Sequence, residues 1–245
     1  MITQYDLPRL DLRIEEGKVC ILSDFHIPYH DEAAIDAAFK YIQDIQPSTV
    51  ILNGDVLDFY KLSRFMKEDA KRDPEEEISI ANKILQDLRN IVPNSEIYYI
   101  IGNHEIRLEN YTIGNAPALF KIVPSVFKLI KCRDLNIFGC GALTINDTFI
   151  CEHGKLLGNK SGLSAIKELE AHYMNGATGH THRLAKFITR KAGKKFVWFE
   201  TGCLCSLNPN YMINPDWQQG FVVLEYKNGK LKRGVCKEIE DGEIL

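Results

Sequence analysis

Six of the seven histidines fall within or beside five short polar segments, and each segment follows a predicted strand. The segments are Asp24-Phe25-His26, Gly54-Asp55-Val56-Leu57-Asp58, Gly102-Asn103-His104-Glu105, His153-Gly154 and Gly179-His180-Thr181-His182. Open α/β sheets bind ligands at the carboxyl ends of their strands, so we expect the five segments to meet at one rim. A single histidine at a strand end is usually structural, and the prediction therefore depends on the whole set.

The donor types in these segments indicate a metal centre. Carboxylate, imidazole and amide ligands without thiolates suit Mn²⁺, Fe²⁺, Zn²⁺ or Ni²⁺ rather than structural zinc. Asp24 and His26 can reach one ion if the backbone turns between them, and Asp55 is the natural bridge between two ions. Two ions ~3.5–4 Å apart would clamp the attacking and leaving oxygens of a phosphoester and provide hydroxide at neutral pH.

Composition narrows the class of protein. The 245 residues are 45% hydrophobic and carry a net charge of −3, which predicts one continuous domain over residues 1–245. We expect no membrane partner and a cytoplasmic location, since the chain has no ~20-residue apolar stretch and no signal-peptide core at its start. The charge excludes a basic nucleic-acid binder but not a nucleic-acid substrate, because bound cations reverse the local sign. The oligomeric state is not predicted.

The cysteines predict no further site. Seven cysteines without a CxxC pair indicate reduced, buried thiols. Cys203 and Cys205 are close enough in sequence to suggest a metal site, but we do not expect them to share an ion.

Periodicity predicts alternating strands and helices in the first half of the chain. Strands are expected at 19–22, 49–52 and 97–101, and helices at 32–45 and 74–91. This order favours a parallel sheet with right-handed crossovers.

The second half is rich in short strands and hairpins, with one helix near 161–174. Its strands are expected at 135–138, 143–145, 148–152, 176–179, 185–190, 195–201, 220–226 and 231–237. We predict an α/β fold in which two mixed sheets pack face to face with helices outside.

The ordered segments DFH, GDVLD, GNHE, HG and GHTH resemble the calcineurin-like metallophosphoesterase superfamily, and they span about two-thirds of the chain. The resemblance implies a four-layer αββα sandwich and a binuclear centre, with Mn²⁺ the first choice of ion and Fe, Zn or Ni as alternatives. It implies Asp24, His26 and His182 on the first metal. It implies Asn103, His153 and His180 on the second metal, with Asp55 bridging both.

The resemblance also implies two catalytic residues. His104 matches the histidine that contacts the substrate phosphate and protonates the leaving oxygen. Asp58 matches the second acid of the GDxxD motif, which orients His104 or a water.

Three residues are candidates for substrate binding. Arg107 could hold a phosphate by its guanidinium group or pair with Glu105, Glu109 or another nearby acid. Tyr211 and Trp217, in the long loop 202–219, could stack on a base or sugar or could anchor the loop to the core. The segment TGCLCSLNPNYMINPDWQQGF resembles the tail of phage- and prophage-associated metallophosphoesterases.

The favoured function is hydrolysis of phosphodiester bonds, in a small diester or a nucleic acid, by metal-activated hydroxide. The alternative is a phosphomonoesterase of the protein Ser/Thr phosphatase or nucleotide phosphatase type. Protein phosphatases of this superfamily carry arginines where this chain has Phe59 and Ile101, which weakens the alternative. A non-enzymatic scaffold is disfavoured because no ligand position is missing.

Overall fold

The computed structural model describes residues 6–63, 73–209 and 215–245. Within these residues it contains two mixed β-sheets and five α-helices. The strands are β1 (Arg9–Leu12), β2 (Glu16–Leu22), β3 (Thr49–Asn53), β4 (Glu96–Ile100), β5 (Ile137–Cys140), β6 (Ala142–Ile145), β7 (Phe149–Cys151), β8 (Asn175–Thr178), β9 (Leu184–Lys191), β10 (Lys194–Thr201), β11 (Gly220–Lys227), β12 (Lys230–Glu240) and β13 (Glu243–Ile244). The helices are α1 (Glu32–Ile45), α2 (Pro74–Ile91), α3 (Arg107–Asn115), α4 (Val126–Leu129) and α5 (Leu163–His172).

The two sheets differ in strand direction. One sheet has the order β13-β12-β11-β2-β3-β4-β5, and β2 to β5 are parallel within it. The other has the order β1-β6-β7-β8-β10-β9, in which β7, β8 and β10 are parallel. Since parallel strands end at the same edge, each sheet delivers several loops to one rim.

Three groups of buried side chains hold four layers together. Between the sheets, Ile21 and Ile51 pack with Leu143, Phe149 and Phe199. Helices α1 and α2 cover the outer face of the seven-stranded sheet, and α5 covers the six-stranded sheet. The α/β fold with two mixed sheets flanked by helices is therefore confirmed, whereas the single domain over 1–245 stays a prediction.

Helix α1 and helix α2 begin where their capping residues predict. The Asp31 carboxylate accepts a hydrogen bond from the Ala34 backbone at 3.0 Å, and that of Asp73 accepts one from Glu75 at 3.2 Å. Pro74 occupies the first turn of α2, where its missing N–H costs nothing. No described helix has both the length and the apolar character that a membrane span requires.

Candidate metal centre

The five polar segments converge as predicted. Asp24 and His26 follow β2, Asp55 and Asp58 follow β3, and Asn103 and His104 follow β4. His153 follows β7, and His180 and His182 follow β8, so the other sheet supplies these three imidazoles. The segments lie at one rim between the two sheets.

Asp24, His26 and His182 form a buried cluster. The Nε2 atoms of His26 and His182 lie 2.9 Å apart. Asp24 Oδ1 is 3.3 Å from Nε2 of His182 and 3.7 Å from Nε2 of His26. Two imidazole nitrogens bound at ~2.1 Å and at right angles on one ion would be about 3 Å apart, so the spacing fits a shared cation.

Asp55, His153 and His180 form a second cluster beside the first. His153 Nε2 lies 3.1 Å from Asp55 Oδ2 and 3.1 Å from Asn103 Oδ1. The same Asp55 oxygen is 3.8 Å from His26 Nε2, in the first cluster. One carboxylate thus reaches both groups, and Asn103 completes the second.

His153 and His26 each form a hydrogen bond through Nδ1, which leaves Nε2 free to bind an ion. His153 Nδ1 donates to the Asn53 carbonyl at 2.8 Å, and His26 Nδ1 donates to Asp58 Oδ2 at 3.1 Å. Such partners fix the tautomer and the direction of a metal-binding histidine. The donor set and its spacing therefore fit divalent transition-metal ions.

The electrostatics of the clusters depend on close carboxylate–imidazole contact. Burial alone would raise the pKa of Asp24, but His182 and His26 hold it below its usual range. Burial opposes charge on His153, yet the adjacent Asp55 carboxylate raises its pKa to about 9. Burial and the neighbouring His153 lower the pKa of His180 to about 4. Buried carboxylates and imidazoles that lie this close together favour binding of a cation between them.

His104 stands beside both clusters and is positioned by Asp58. Its Nδ1 donates to the Asp58 carbonyl at 2.9 Å and lies 3.4 Å from the Asp58 carboxylate. Arg107 donates to His104 Nε2 at 2.9 Å and to the Asp58 carbonyl at 2.8 Å. Asp58 therefore orients His104 as well as His26, and Arg107 is held beside the centre by Asp58 rather than by Glu105 or Glu109.

Five of the candidate ligands have left-handed backbone, which is uncommon outside glycine. Their φ angles are 55° at Asp24, 50° at His26, 52° at Asp55, 67° at His180 and 58° at His182. Clusters of such residues are characteristic of functional sites, where the surrounding structure holds conformations costing about 1–3 kcal/mol each.

Two glycines in the polar segments are required because their backbone lies very close to side chains of the site. A Cβ at Gly102 would overlap the Asp55 carboxylate, and one at Gly179 would overlap the Ser23 hydroxyl and the Asp24 carboxylate. The backbone can pass these ligands only where a side chain is absent.

Sequence reasoning did not predict the role of Glu105, which is fully buried. Its carboxylate accepts four hydrogen bonds, from the backbone N–H groups of Gly102, Asp55 and Leu57 and from the Tyr99 hydroxyl. It thereby joins the loop after β3 to the loop after β4. The signal was an acid directly after the predicted ligand Asn103 and the predicted catalytic residue His104.

A second buried glutamate, Glu200 on β10, secures the ligand loop after β8. One of its oxygens accepts from the Thr181 hydroxyl at 2.9 Å, and Thr181 lies between two candidate ligands. The other oxygen accepts from the Ala165 backbone at 3.0 Å, near the start of α5. The loop is thus tied to the outer helix layer.

Cys203 and Cys205 lie beside the candidate ligand His182, and the expectation that they share no ion stays a prediction. Their sulfur atoms and a nitrogen of His182 lie within 4.8 Å of one another, and all three residues are buried. Residues two apart in an extended chain share a face, and the Leu204 N–H donates to the Asp24 carbonyl at 3.1 Å, which holds this segment beside the first cluster. Cys205 Sγ consequently lies 3.8 Å from His182 Nδ1.

The described part of loop 202–219 braces the first cluster. The Gln218 N–H donates to the His182 carbonyl at 2.8 Å, and the Trp217 ring packs edge-to-face on His182 at 4.2 Å between centroids. Trp217 thus lies at the rim of the centre as well as anchoring the loop. Tyr211, the other predicted aromatic contact, lies outside the described residues.

Comparison with known proteins agrees with this geometry. Residues 17–210 match the model of the family described as calcineurin-like phosphoesterase. Gene 54 protein of Mycobacterium phage L5 is 28% identical over 226 residues, which cover 84% of this chain and 88% of that protein. Gene 54 protein of Mycobacterium phage D29 is 28% identical over 234 residues, covering 88% and 91%.

Solved structures share the fold at low identity. Vps29 of Cryptosporidium parvum gives a TM-score of 0.52 at 16% identity, over 94% of this chain and 96% of that one. A single mutant of Vps29 from Entamoeba histolytica gives 0.50 at 15% identity, over 93% and 96%. With its family model matched over most of its length, the chain belongs to the calcineurin-like phosphoesterases and is a metal-dependent hydrolase of phosphoesters.

Proposed function

We propose that this chain is a binuclear phosphodiesterase that cleaves small phosphodiesters or nucleic acid. The proposal is carried by one observation, the position of Asp55. One oxygen of its carboxylate lies 3.1 Å from His153 Nε2 in one cluster and 3.8 Å from His26 Nε2 in the other. A carboxylate in this position can bridge two divalent ions, for which the oxygen and nitrogen donors favour Mn²⁺, with Fe, Zn and Ni as alternatives.

Asp24, His26 and His182 would hold one ion, and Asn103, His153 and His180 the other. When bound, such a pair supplies a hydroxide nucleophile at neutral pH and neutralises charge on the phosphoryl oxygens. The chain's own contribution is to fix the ligands in direction, through Asp58 on His26 and the Asn53 carbonyl on His153.

His104 is proposed to protonate the leaving oxygen as the phosphorus–oxygen bond breaks. Its Nδ1–H is held by the Asp58 carbonyl, so Nε2 is the atom that transfers the proton. The Asp58 carboxylate, 3.4 Å from Nδ1, would stabilise the imidazolium form. Arg107 now donates to Nε2, which therefore carries no proton in this arrangement. A substrate phosphate would take over that guanidinium, so that Nε2 could take up a proton from water and pass it to the leaving oxygen.

Preference for diesters is supported by what lies beside the clusters. Phe59 and Ile101, at the two positions where protein phosphatases carry arginines, are buried at 0% and 3% exposure. Without those two cations, a dianionic monoester would lose charge compensation that a monoanionic diester does not need. An alkoxide leaving group also gains from the proton of His104.

The function is tested by measuring turnover of bis-p-nitrophenyl phosphate, p-nitrophenyl phosphate and single-stranded DNA by the purified protein with Mn²⁺. We expect diester or DNA cleavage to exceed monoester hydrolysis in kcat/KM. Monoester turnover with no cleavage of either diester substrate would establish the phosphomonoesterase alternative. We expect this activity in the cytoplasm, where reduced cysteines persist.

A further inference from the structure

A group of ligand-type side chains lies outside the metal centre, between α5 and β7. Glu152, Glu168 and His172 place their ligand atoms within 4.8 Å of one another. His172 Nε2 is 2.9 Å from Glu152 Oε1 and 3.7 Å from Glu168 Oε2. The two carboxylates are 2% and 1% exposed, whereas the His172 side chain is 25% exposed and opens the group to solvent.

One carboxylate oxygen in this group lacks a partner. Glu168 Oε1 accepts from the backbone N–H groups of Lys155 at 3.0 Å and Leu156 at 2.8 Å. Glu168 Oε2 is buried and has no hydrogen-bond partner among the described residues. Buried polar atoms are rarely unpaired in native proteins, so an oxygen aimed at the imidazole in this way indicates a ligand between them.

Charge balance identifies the kind of ligand. Two buried carboxylates carry two negative charges, and a protonated His172 would neutralise one of them. The Arg9 guanidinium also acts electrostatically on His172, but Arg9 is exposed to solvent. An uncompensated buried charge is costly. A divalent cation would balance both carboxylates while the imidazole binds it as a neutral ligand.

The imidazole is already held in place for such a role. His172 stacks on the Trp198 ring with 5.4 Å between centroids and an interplanar angle of 24°. Trp198 is itself fixed by a hydrogen bond from Nε1 to the Thr178 hydroxyl at 3.1 Å. Glu168 and His172 are four residues apart on α5 and therefore share one face of the helix.

We propose that Glu152, Glu168 and His172 bind a further divalent ion, separate from the catalytic centre, and that their carboxylate and imidazole donors suit first-row ions, Zn²⁺ among them. The ion has a structural role. Glu152 directly precedes the candidate ligand His153. Glu168 accepts hydrogen bonds from the backbone N–H groups of Lys155 and Leu156, which lie two and three positions after His153. The ion would thus fix the loop that carries His153.

The test counts bound Zn²⁺ by equilibrium dialysis and elemental analysis in wild type, Glu168→Gln, His172→Ala and Glu170→Gln. Glu170 is exposed on the same helix and serves as the matched control. We expect Glu168→Gln and His172→Ala each to bind one ion fewer than wild type and Glu170→Gln. Because the ion count of each variant is compared with that of wild type, the result does not depend on how many ions the catalytic centre holds. Equal counts in all four proteins would overturn the proposal.

A second measurement applies if Glu168→Gln does not fold. Trp217→Phe leaves Trp198 as the single tryptophan of the chain, and its fluorescence reports on an ion bound to the stacked His172. Saturable quenching by Co²⁺ is expected in Trp217→Phe and should be lost when His172→Ala is added. Quenching that is unchanged in the double variant would contradict the assignment.

Discussion

Asp55 is the residue on which the proposed binuclear arrangement depends, because one oxygen of its carboxylate lies near imidazole nitrogens of both ligand clusters. The neighbouring His104 contacts it twice, through a backbone N–H at 2.9 Å and a ring nitrogen at 3.8 Å. Changes at these two positions should therefore separate metal binding from proton transfer.

Asp55→Asn should weaken both metal sites together, since the amide keeps the shape of the carboxylate but loses the charge that two ions share. Elemental analysis after dialysis against Mn²⁺ should show occupancy falling at both sites, with Asp36→Asn, an exposed acid on α1, as control. Retention of one full equivalent would show that Asp55 serves a single ion.

His104→Ala should keep the metal content of wild type and lose diester turnover by about 100-fold or more, the usual scale for removal of a general acid. Metal content and kcat are measured on the same preparation. If the ions are lost with the activity, His104 is a ligand and its proposed role is wrong.

At residue scale, the candidate ligands could be predicted because each follows a strand whose end the sequence marks. The sequence predicted that Asp58 orients either His104 or a water molecule, and it did not predict the contact of Asp58 with His26. The position of Cys203 and Cys205 beside His182 could not be predicted, because it depends on a hydrogen bond from residue 204 to the distant Asp24.

At the scale of elements, buried glutamates connect the loops of the centre. Glu105 joins the loops after β3 and β4, Glu200 ties the loop after β8 to α5, and Glu77 on α2 accepts from the Phe59 backbone at 2.7 Å. A carboxylate suits this role because it accepts several N–H groups at once, and hydrogen bonds to a charged group are the stronger ones.

Glu105→Gln should destabilise the protein by about 2–4 kcal/mol, since the amide nitrogen cannot accept the N–H groups that the second carboxylate oxygen now binds. Urea unfolding followed by circular dichroism measures the loss. Glu76→Gln, at an exposed position of α2, is the control and should change stability by less than ~0.5 kcal/mol. Equal stability of the two variants would refute the loop-joining role.

The elements themselves were predictable to different extents. Helices α1 and α2 match their predicted bounds because Asp31, Asp73 and Pro74 mark their starts. Eleven strands, β2 to β12, were predicted to within a few residues. Strands β1 and β13 and helix α4, of two to four residues each, were missed because segments this short show no clear periodicity. The nine-residue helix α3 was not predicted as an element either. The pairing of β1 with β6 also spans more than 130 residues of sequence.

At the scale of the whole molecule, the candidate ligands come from both sheets. Asp24 and His26 extend from the seven-stranded sheet and His182 from the six-stranded sheet, and the second cluster is divided in the same way. Bound ions would therefore connect the two halves of the sandwich at the rim, in addition to the apolar layer between them.

Chelation should consequently lower the melting temperature. An ion at ~100 times its dissociation constant stabilises the folded state by about 2.7 kcal/mol, which corresponds to about 5–10 °C for a chain of this size. Differential scanning calorimetry with Mn²⁺ and with EDTA measures the shift, and Asp55→Asn should show a smaller one. The same melting temperature in both buffers would exclude a metal link between the sheets.

The left-handed backbone at five candidate ligands has a consequence for how this centre can vary among relatives. Apart from glycine, the residues that tolerate such φ angles best are asparagine, aspartate and histidine. These are also residues with metal-binding oxygen or nitrogen atoms. The backbone conformation at positions 24, 26, 55, 180 and 182 therefore restricts substitution to these few residue types. Exchange among asparagine, aspartate and histidine can change the preferred ion without a change in loop conformation. Replacement by glycine would remove the metal-binding atom and relieve the backbone strain.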